Sequence, residues 1–253
     1  LKFNIPGWTI YSSSSQGEGG RGPNRYSGVS IWVHDILGLG KPNNIYDILP
    51  SLSQPLTVND VEGRFLALEF PNFTIINTYV PNAGTNFTYR TARWDPAMLS
   101  YLTSLRNEPK TETELESEPK TETKKKMIIW VGDLNVARTP YDVHFSNVRD
   151  LPQGKRLLEK GGPNVFNRLE LLRQHIHSND TMLGIGDKTP AGFTKQERDS
   201  IEQILMNGFT DCWRHLNPSN YYEGYTWWNL RVPPYRPNNK GWRIDYFVVD
   251  DDH

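Results

Sequence analysis

The chain has 253 residues, a length that permits one sizeable α/β domain or two small ones, and we predict a single domain. Its formal net charge of −1 argues against a passive polyanion binder, because nonspecific affinity for duplex DNA comes largely from Lys and Arg. A single cysteine, Cys212, excludes an internal disulfide framework and favours an intracellular protein, and no apolar run is long enough to cross a bilayer.

Strands are predicted in the first third of the chain. Residues 28–33 have the apolar content of a strand. Residues 64–70 and 73–79 flank a Pro-Asn pair and are predicted to form a hairpin. The second strand of this hairpin would deliver Tyr79 and Asn82 at its exit, where functional loops are commonly found.

A helix and a central strand are predicted next. Apolar residues recur at intervals of three and four between residues 89 and 105, which indicates a helix that packs on a sheet. Residues 127–131 form a short apolar run followed by Gly132 and Asp133, as expected for a strand buried on both faces. Several large aromatic side chains are expected to fill the core, namely Trp32, Trp94, Trp130 and Trp213.

A second helix and three further strands are predicted towards the end of the chain. Thr194 and Glu197 have the spacing of a capping box, so a helix should begin there and run to about Met206, before Gly208. Strand-like stretches follow at residues 208–214, 225–228 and 242–249. The alternation of strands and helices predicts an α/β layered fold.

Two stretches are predicted to be insertions. Residues 107–126 contain the unit Glu-Pro-Lys-Thr-Glu-Thr twice. This unit has no apolar residue that could offset the entropy of folding, which predicts a disordered surface loop. The second insertion, at about residues 138–190, mixes Gly, Pro and Asn around one helical piece with Leu169, Leu172 and Ile176 on one face.

Asp133 and Asn135 are candidates for phosphodiester chemistry. Hydrolysis of a phosphodiester needs a base for the attacking water, donors for the nonbridging oxygens and commonly a divalent cation. If the chain stays extended beyond the strand, Asp133 and Asn135 project to the same side and offer a base and a neutral donor to one phosphate. The alternative is an Asx turn that merely ends a strand.

Three segments in a fixed order carry a family resemblance. They are Thr-Tyr-Val-Pro-Asn-Ala-Gly at residues 78–84, Val-Gly-Asp-Leu-Asn-Val-Ala at 131–137 and Asn-Lys-Gly-Trp-Arg-Ile-Asp-Tyr-Phe at 239–247. Together, with Ala-Gly-Phe-Thr at 191–194, they resemble the exonuclease III type of apurinic/apyrimidinic (AP) endonuclease, within the endonuclease/exonuclease/phosphatase superfamily. This resemblance spans nearly the whole chain apart from the two insertions, and it implies a two-sheet α/β sandwich.

The resemblance also implies roles for individual residues. Asp133 would orient and activate the attacking water, and Asn135 would hold the nucleophile or a phosphate oxygen. Tyr79 and Asn82 would hydrogen-bond the scissile phosphate. Asp245 would be a buried carboxylate that orients a catalytic His.

Residues that contact DNA are implied by the same resemblance. Trp227, Trp242 and Ile244 would form the walls of a pocket for a flipped-out abasic sugar, and Tyr26 matches a DNA-contacting position. A basic cluster is interleaved with aromatic residues, which suits a nucleic-acid groove, and it comprises Arg231, Arg236, Lys240 and Arg243. A solvated loop is the alternative interpretation of this cluster.

The function implied by the resemblance is DNA repair by cleavage of double-stranded DNA 5′ to an abasic site, with Mg²⁺ or Mn²⁺. We expect a monomer in the nucleus, with a mitochondrial location as the alternative. Two other functions are open: a 3′–5′ exonuclease or phosphatase of the same superfamily, and a noncatalytic DNA-binding or scaffold protein. Salt-sensitive DNA binding without cleavage would indicate the last of these.

Some segments of the family pattern are not found in this chain. The missing segments are the Asn-x-Asn-Gly and Gln-Glu segments of the first strands and the later Ser-Asp-His triplet. We therefore expect a partial domain that is truncated at both termini, with its metal ligands mainly in the missing segments. We also expect poor turnover, because catalytic groups that act as a unit fail together.

Overall fold

The computed structural model describes residues 5–15, 27–108, 125–144, 191–218 and 224–252. The strands are β1 (Trp8–Ser14), β2 (Gly28–His34), β3 (Asn44–Tyr46), β4 (Phe65–Glu69), β5 (Phe73–Tyr79), β6 (Met127–Asp133), β7 (Phe209–Asp211), β8 (Trp227–Trp228), β9 (Gly241–Trp242) and β10 (Asp245–Asp250). The helices are α1 (Ala83–Tyr89), α2 (Asp95–Asn107), α3 (Lys195–Met206) and α4 (Cys212–Leu216).

A six-stranded mixed sheet with the order β3-β4-β5-β6-β10-β7 forms the centre of the fold. The predicted hairpin is confirmed, since β4 and β5 pair antiparallel. Strand β6 runs parallel to β5, with Tyr79 beside Asp133, and antiparallel to β10, with Asp133 beside Asp245. The register therefore brings these three polar residues together at one end of the central strands.

Helices cover one face of the sheet. Phe65 and Ala67 of β4 point into a core that includes Trp94 and Met98 from the α2 region. The predicted helix at residues 89–105 is confirmed for the most part, but helical structure begins earlier, at Ala83, and includes one π-helical turn at Arg90–Trp94. Helix α3 starts at the predicted capping box and ends at the predicted residue.

A two-stranded ribbon of β1 and β2 packs on the opposite face of the sheet. Ile31 of β2 lies against Leu66, Leu68 and Phe70. The fold is thus a layered α/β structure with a large mixed sheet, as predicted. Trp32 was expected in the core, but it points away from the sheet and is 46% exposed, because ribbon residues alternate between the two faces.

Three element boundaries differ from the prediction. Strand β7 ends at Asp211, whose side chain accepts a hydrogen bond from the Arg214 N–H and so begins α4. The stretch at 242–249 is broken into β9 and β10 around Arg243 and Ile244. Residues 138–144 were assigned to an insertion, yet Asp142 is completely buried in the fold.

Several predicted features fall outside the described residues. They include the remainder of both insertions, at 109–124 and 145–190, and the DNA-contacting position Tyr26. Within the described ranges, no helix is long and apolar enough to cross a membrane.

Candidate active site

The site is built on the exits of two adjacent parallel strands. Tyr79 ends β5, and Asp133 ends β6 directly beside it. Gly132 precedes Asp133 with a φ of +126°, and a Cβ at this position would lie 2.0 Å from the Thr78 carbonyl oxygen. The glycine of the Val-Gly-Asp segment is therefore required by the close approach of the two strands.

Asn135 adopts a left-handed conformation, with a φ of 49°. Its backbone N–H donates to Asp133 Oδ1 at 2.8 Å, so the Asx turn that the sequence left as an alternative is formed. The expected extended path is wrong. The turn directs the Asn135 side chain across to the neighbouring strand exit, where Nδ2 donates to the Val80 carbonyl at 2.7 Å.

Asn82 follows β5 and contacts the Asn135 side chain from that strand exit. Its Oδ1 accepts the Gly84 N–H at 2.8 Å and thereby caps α1. Its Nδ2 donates to Asn135 Oδ1 at 3.1 Å. Because both ends of the Asn82 amide are bonded, the two asparagines are held in a fixed relation although 53 residues separate them.

The Asp133 carboxyl has a pKa above that of an ordinary aspartate. Burial raises its pKa, and the negative charge of Asp245 adds to this effect. The Asn135 N–H and the guanidinium groups of Arg90 and Arg64 act in the opposite direction, and the resulting pKa is about 6. A carboxylate with this pKa is ionised at pH 7 and accepts a proton more readily than an ordinary Asp.

Asp245 lies beside Asp133 in the sheet but differs from the prediction. It was expected to be a buried carboxylate, and it is exposed at the start of β10. Its backbone N–H donates to Thr226 Oγ1 at 3.1 Å. The exposure follows from its position at the end of the strand, on the sheet face opposite the helices.

A cavity of about 420 Å³ opens at these residues. Tyr79, Asn82, Asp133 and Asn135 lie on its polar side, and Trp227, Trp242 and Ile244 lie on its apolar side. The structure thus brings together seven of the residues that the sequence singled out, from four separate segments. Their individual roles stay predictions.

Arg243 does not contact the cavity, so its predicted role in DNA binding is wrong. It is 2% exposed and forms ion pairs with Asp142 and Asp211, each at 2.7 Å. Its side chain alternates away from the surface to which Trp242 contributes. The other members of the basic cluster, Arg231, Arg236 and Lys240, remain at the surface or partly exposed.

The sequence did not predict roles for three residues at or behind the cavity. Tyr235 belongs to a loop without regular structure and lines the cavity. Asp142 holds Arg243 in place, and Arg90 contacts both strand exits from behind. Two of them had a signal in the sequence. Tyr235 is one of the aromatic residues interleaved with the basic cluster. Arg90 precedes Trp94 by four positions and therefore lies on the apolar face of the helical segment, where a charge is unusual.

The described residues do not supply a complete set of metal ligands. Among them, no group of three or more His, Cys, Asp or Glu side chains is placed to hold a metal ion. Asp133 and Asp245 are neighbours, but they are two carboxylates and not a full site.

The fold is that of the AP endonucleases. Among solved structures, the chain is similar to the AP endonuclease from Leishmania major, with a TM-score of 0.62 and 24% identity over 98% of this chain and 63% of that one. No protein-family model matches the chain.

Proteins similar in sequence to this chain agree with the structural similarity. The chain is 32% identical over 219 residues to a DNA-(apurinic or apyrimidinic site) endonuclease of Dictyostelium discoideum, covering 85% of this chain and 43% of the relative. It is 31% identical over 197 residues to an exodeoxyribonuclease of Bacillus subtilis, covering 76% of this chain and 55% of the relative. The chain therefore spans about half the length of the curated relatives it matches. It is a homologue of the exonuclease III-like AP endonucleases in the endonuclease/exonuclease/phosphatase superfamily, which confirms the resemblance.

Proposed function

We propose that this protein is a DNA repair AP endonuclease that hydrolyses the phosphodiester 5′ to an abasic site. One observation carries the proposal: Asp133 and the linked amides of Asn82 and Asn135 meet beside a cavity with aromatic walls. The relative from Dictyostelium, which is named an endonuclease for apurinic or apyrimidinic sites in DNA, supports the choice of substrate.

The polar side of the cavity supplies the groups that the reaction needs. Above pH 6 the Asp133 carboxylate is ionised and accepts the proton of a water that attacks phosphorus. The amides of Asn82 and Asn135 and the Tyr79 hydroxyl donate to the nonbridging oxygens, on which negative charge develops. Since the two amides are already held together, little reorganisation is needed when the phosphate binds.

The apolar side of the cavity fits a sugar without a base. Trp227 and Trp242 face each other across the small sheet of β8 and β9, and Ile244 lies beside them in the wall. An abasic nucleotide loses little stacking energy when it leaves the duplex, so an apolar pocket can select it.

A divalent cation, Mg²⁺ or Mn²⁺, is part of this proposal because of the family resemblance. When bound, such an ion would supply electrostatic stabilisation of the negative charge that develops in the reaction. We also propose that the protein is a monomer and that it acts on double-stranded DNA in the nucleus.

Incision of a duplex that carries one synthetic abasic site tests the proposal directly. In Mg²⁺, we expect cleavage 5′ to the site, and we expect Asp133→Asn to lower the rate by about 10²- to 10⁴-fold because the general base is lost. The measurement is single-turnover cleavage on a denaturing gel. Wild-type protein that is folded and binds the duplex but does not cut would contradict the proposal and favour a noncatalytic DNA-binding function.

A 3′–5′ exonuclease is the second candidate, because a relative of similar identity is named exodeoxyribonuclease. The same duplex with a recessed 3′ end and no abasic site separates the two activities. Faster removal of the terminal nucleotide than incision of the abasic duplex would favour the exonuclease.

A further inference from the structure

Arg90 is a buried cation that touches both strand exits of the site. It is 3% exposed and begins the π-helical turn between α1 and α2. Its Nη1 donates to the Pro81 carbonyl at 3.0 Å and to the Asn135 carbonyl at 3.2 Å. Its Nη2 donates to the Leu134 carbonyl at 2.9 Å, and its Nε donates to Asp95 at 3.0 Å.

The same guanidinium also faces a third segment of the cavity wall. Arg90 Nη1 lies 3.5 Å from the Glu197 carboxylate, which is fully buried. Glu197 in turn accepts the Gly192 N–H at 2.9 Å, and Gly192 lines the cavity. One side chain therefore connects the exits of β5 and β6 with the start of α3.

These contacts exceed what a core ion pair requires. Asp95 alone would neutralise Arg90, whereas three of the donated hydrogen bonds go to backbone carbonyls at the strand exits. Pro81 is adjacent to Asn82, and Asn135 carries the amide that Asn82 contacts. The guanidinium thus lies behind the asparagine pair and connects the same two loops.

We propose that Arg90 is the positioning residue of this site: its planar guanidinium sets the spacing between the loop that carries Asn82 and the loop that carries Asp133 and Asn135. The proposal rests on the proposed function, because the spacing matters for a phosphate held by both loops. A lysine keeps the charge but has no planar fork, so it cannot make these bonds together.

Arg90→Lys tests the proposal, with Arg93→Lys as the matched control. Arg93 lies one turn away and also uses its fork, but on Asp60 at 2.7 Å and on the Ser53 carbonyl at 2.7 Å, away from the site. Both variants are assayed well below their melting temperatures on the abasic duplex. We expect Arg90→Lys to lower kcat by about 10- to 100-fold with KM within about threefold of wild type, because small displacements of catalytic groups are costly. Arg93→Lys should keep kcat within about twofold of wild type, since its contacts lie outside this arrangement.

Equal losses of kcat in the two variants, or an unchanged kcat in Arg90→Lys, would overturn the proposal. If Arg90→Lys does not fold, Asp95→Asn replaces it; this variant loosens the guanidinium without removing it, and an unchanged kcat would again count against the positioning role.

A readout that needs no activity separates this proposal from the proposed function. Wild-type protein that does not cleave would refute the proposed function alone. The side-chain amide signals of Asn82 and Asn135 in an ¹H–¹⁵N spectrum then decide: they should shift in Arg90→Lys and stay in place in Arg93→Lys. Unchanged signals in Arg90→Lys would overturn the positioning role.

Discussion

At the scale of single residues, the raised pKa that suits Asp133 to its proposed catalytic role also has a cost to stability. Burial raises the pKa of its carboxyl from an ordinary value of 3.8 to about 6. The folded state therefore binds the proton more tightly than the unfolded state. This favourable contribution is fully present below about pH 4 and is lost as the pH rises to about 6. At neutral pH, the charged Asp133 destabilises the fold.

Asp133→Asn should consequently stabilise the protein, although it is expected to slow the proposed cleavage. The Asn side chain keeps an acceptor for the Asn135 N–H and carries no charge. We expect the free energy of unfolding to increase by about 2 kcal/mol at pH 7, from a shift of about two pKa units discounted for partial exposure. Urea unfolding measured at pH 4 and pH 7 checks this prediction. A gain of the same size at both pH values would show that charge is not the cause.

A second residue-scale feature is the buried pairing of Arg243 with Asp142 and Asp211. Burial would raise the pKa of the Asp142 carboxyl, but the guanidinium groups of Arg243 and Arg214 hold it below its ordinary value. Arg243 also donates its backbone N–H to the Asp142 carbonyl at 2.7 Å. These bonds fix the chain between β9 and β10, and so fix Trp242 and Ile244 in the cavity wall.

At the scale of elements, the parallel pair of β5 and β6 decides where the candidate catalytic residues lie. Its register places Tyr79 beside Asp133, and the register depends on Gly132, which lets the two backbones approach. Any side chain at position 132 would meet the Thr78 carbonyl and push the strand ends apart.

Gly132→Ala should therefore destabilise the protein more than an alanine at another glycine of positive φ. Gly38, with a φ of +60°, is the control, because a Cβ there has nothing within 4 Å. We expect Gly38→Ala to lose about 1 kcal/mol from backbone strain. Gly132→Ala should lose about 1–3 kcal/mol more, from the clash and from a φ of +126° that is more strained for alanine than the φ of +60° at Gly38. Denaturant midpoints measure the difference. Equal losses in the two variants would show that the strand ends separate at no cost.

At the scale of the whole molecule, the distribution of charge matters more than its sum. The net charge is −1, yet three basic residues lie on the segment that contributes Asn229 and Tyr235 to the cavity wall. Arg236 lies over the Trp228 ring at 5.4 Å and Lys240 over the Tyr235 ring at 5.8 Å, and Arg231 is exposed on the same loop. A polyanion would therefore meet a local positive surface on a nearly neutral protein.

The salt dependence of duplex binding should reflect this small number of cations. If the three side chains each neutralise one phosphate, the logarithm of the binding constant should fall against the logarithm of salt concentration with a slope of about −3. Arg236→Gln should reduce the slope by about 1. Lys41 is exposed and lies in the connection that leads to β3, at the far edge of the sheet. Lys41→Gln should therefore leave the slope unchanged. Fluorescence anisotropy over a salt series gives both values, and equal slopes for the two variants would contradict a role for Arg236.

Much of the molecule follows from its sequence alone. The hairpin of β4 and β5, the capped start of α3 and the apolar run of β6 are each predicted from residues within one short window. The family segments likewise identified Asp133, Asn135, Tyr79 and Asn82 before their proximity was visible. A short window of sequence was sufficient for these predictions, because the hydrogen bonds of a turn or cap and the spacing of apolar residues involve residues that are close together in the chain.

Tertiary structure decided the remaining features. Arg243 belongs to a basic cluster in the sequence, and only its contact with Asp142, 101 residues away, shows that it is buried. Asp245 is exposed because it begins β10, at the end of the central strands. Arg90 donates to the carbonyls of Leu134 and Asn135, which lie 44 and 45 residues further along the chain. The environment of a charged side chain depends on which distant segments pack around it. These segments determine its burial, its partners and its pKa, and they come together only when the sheet and helices assemble.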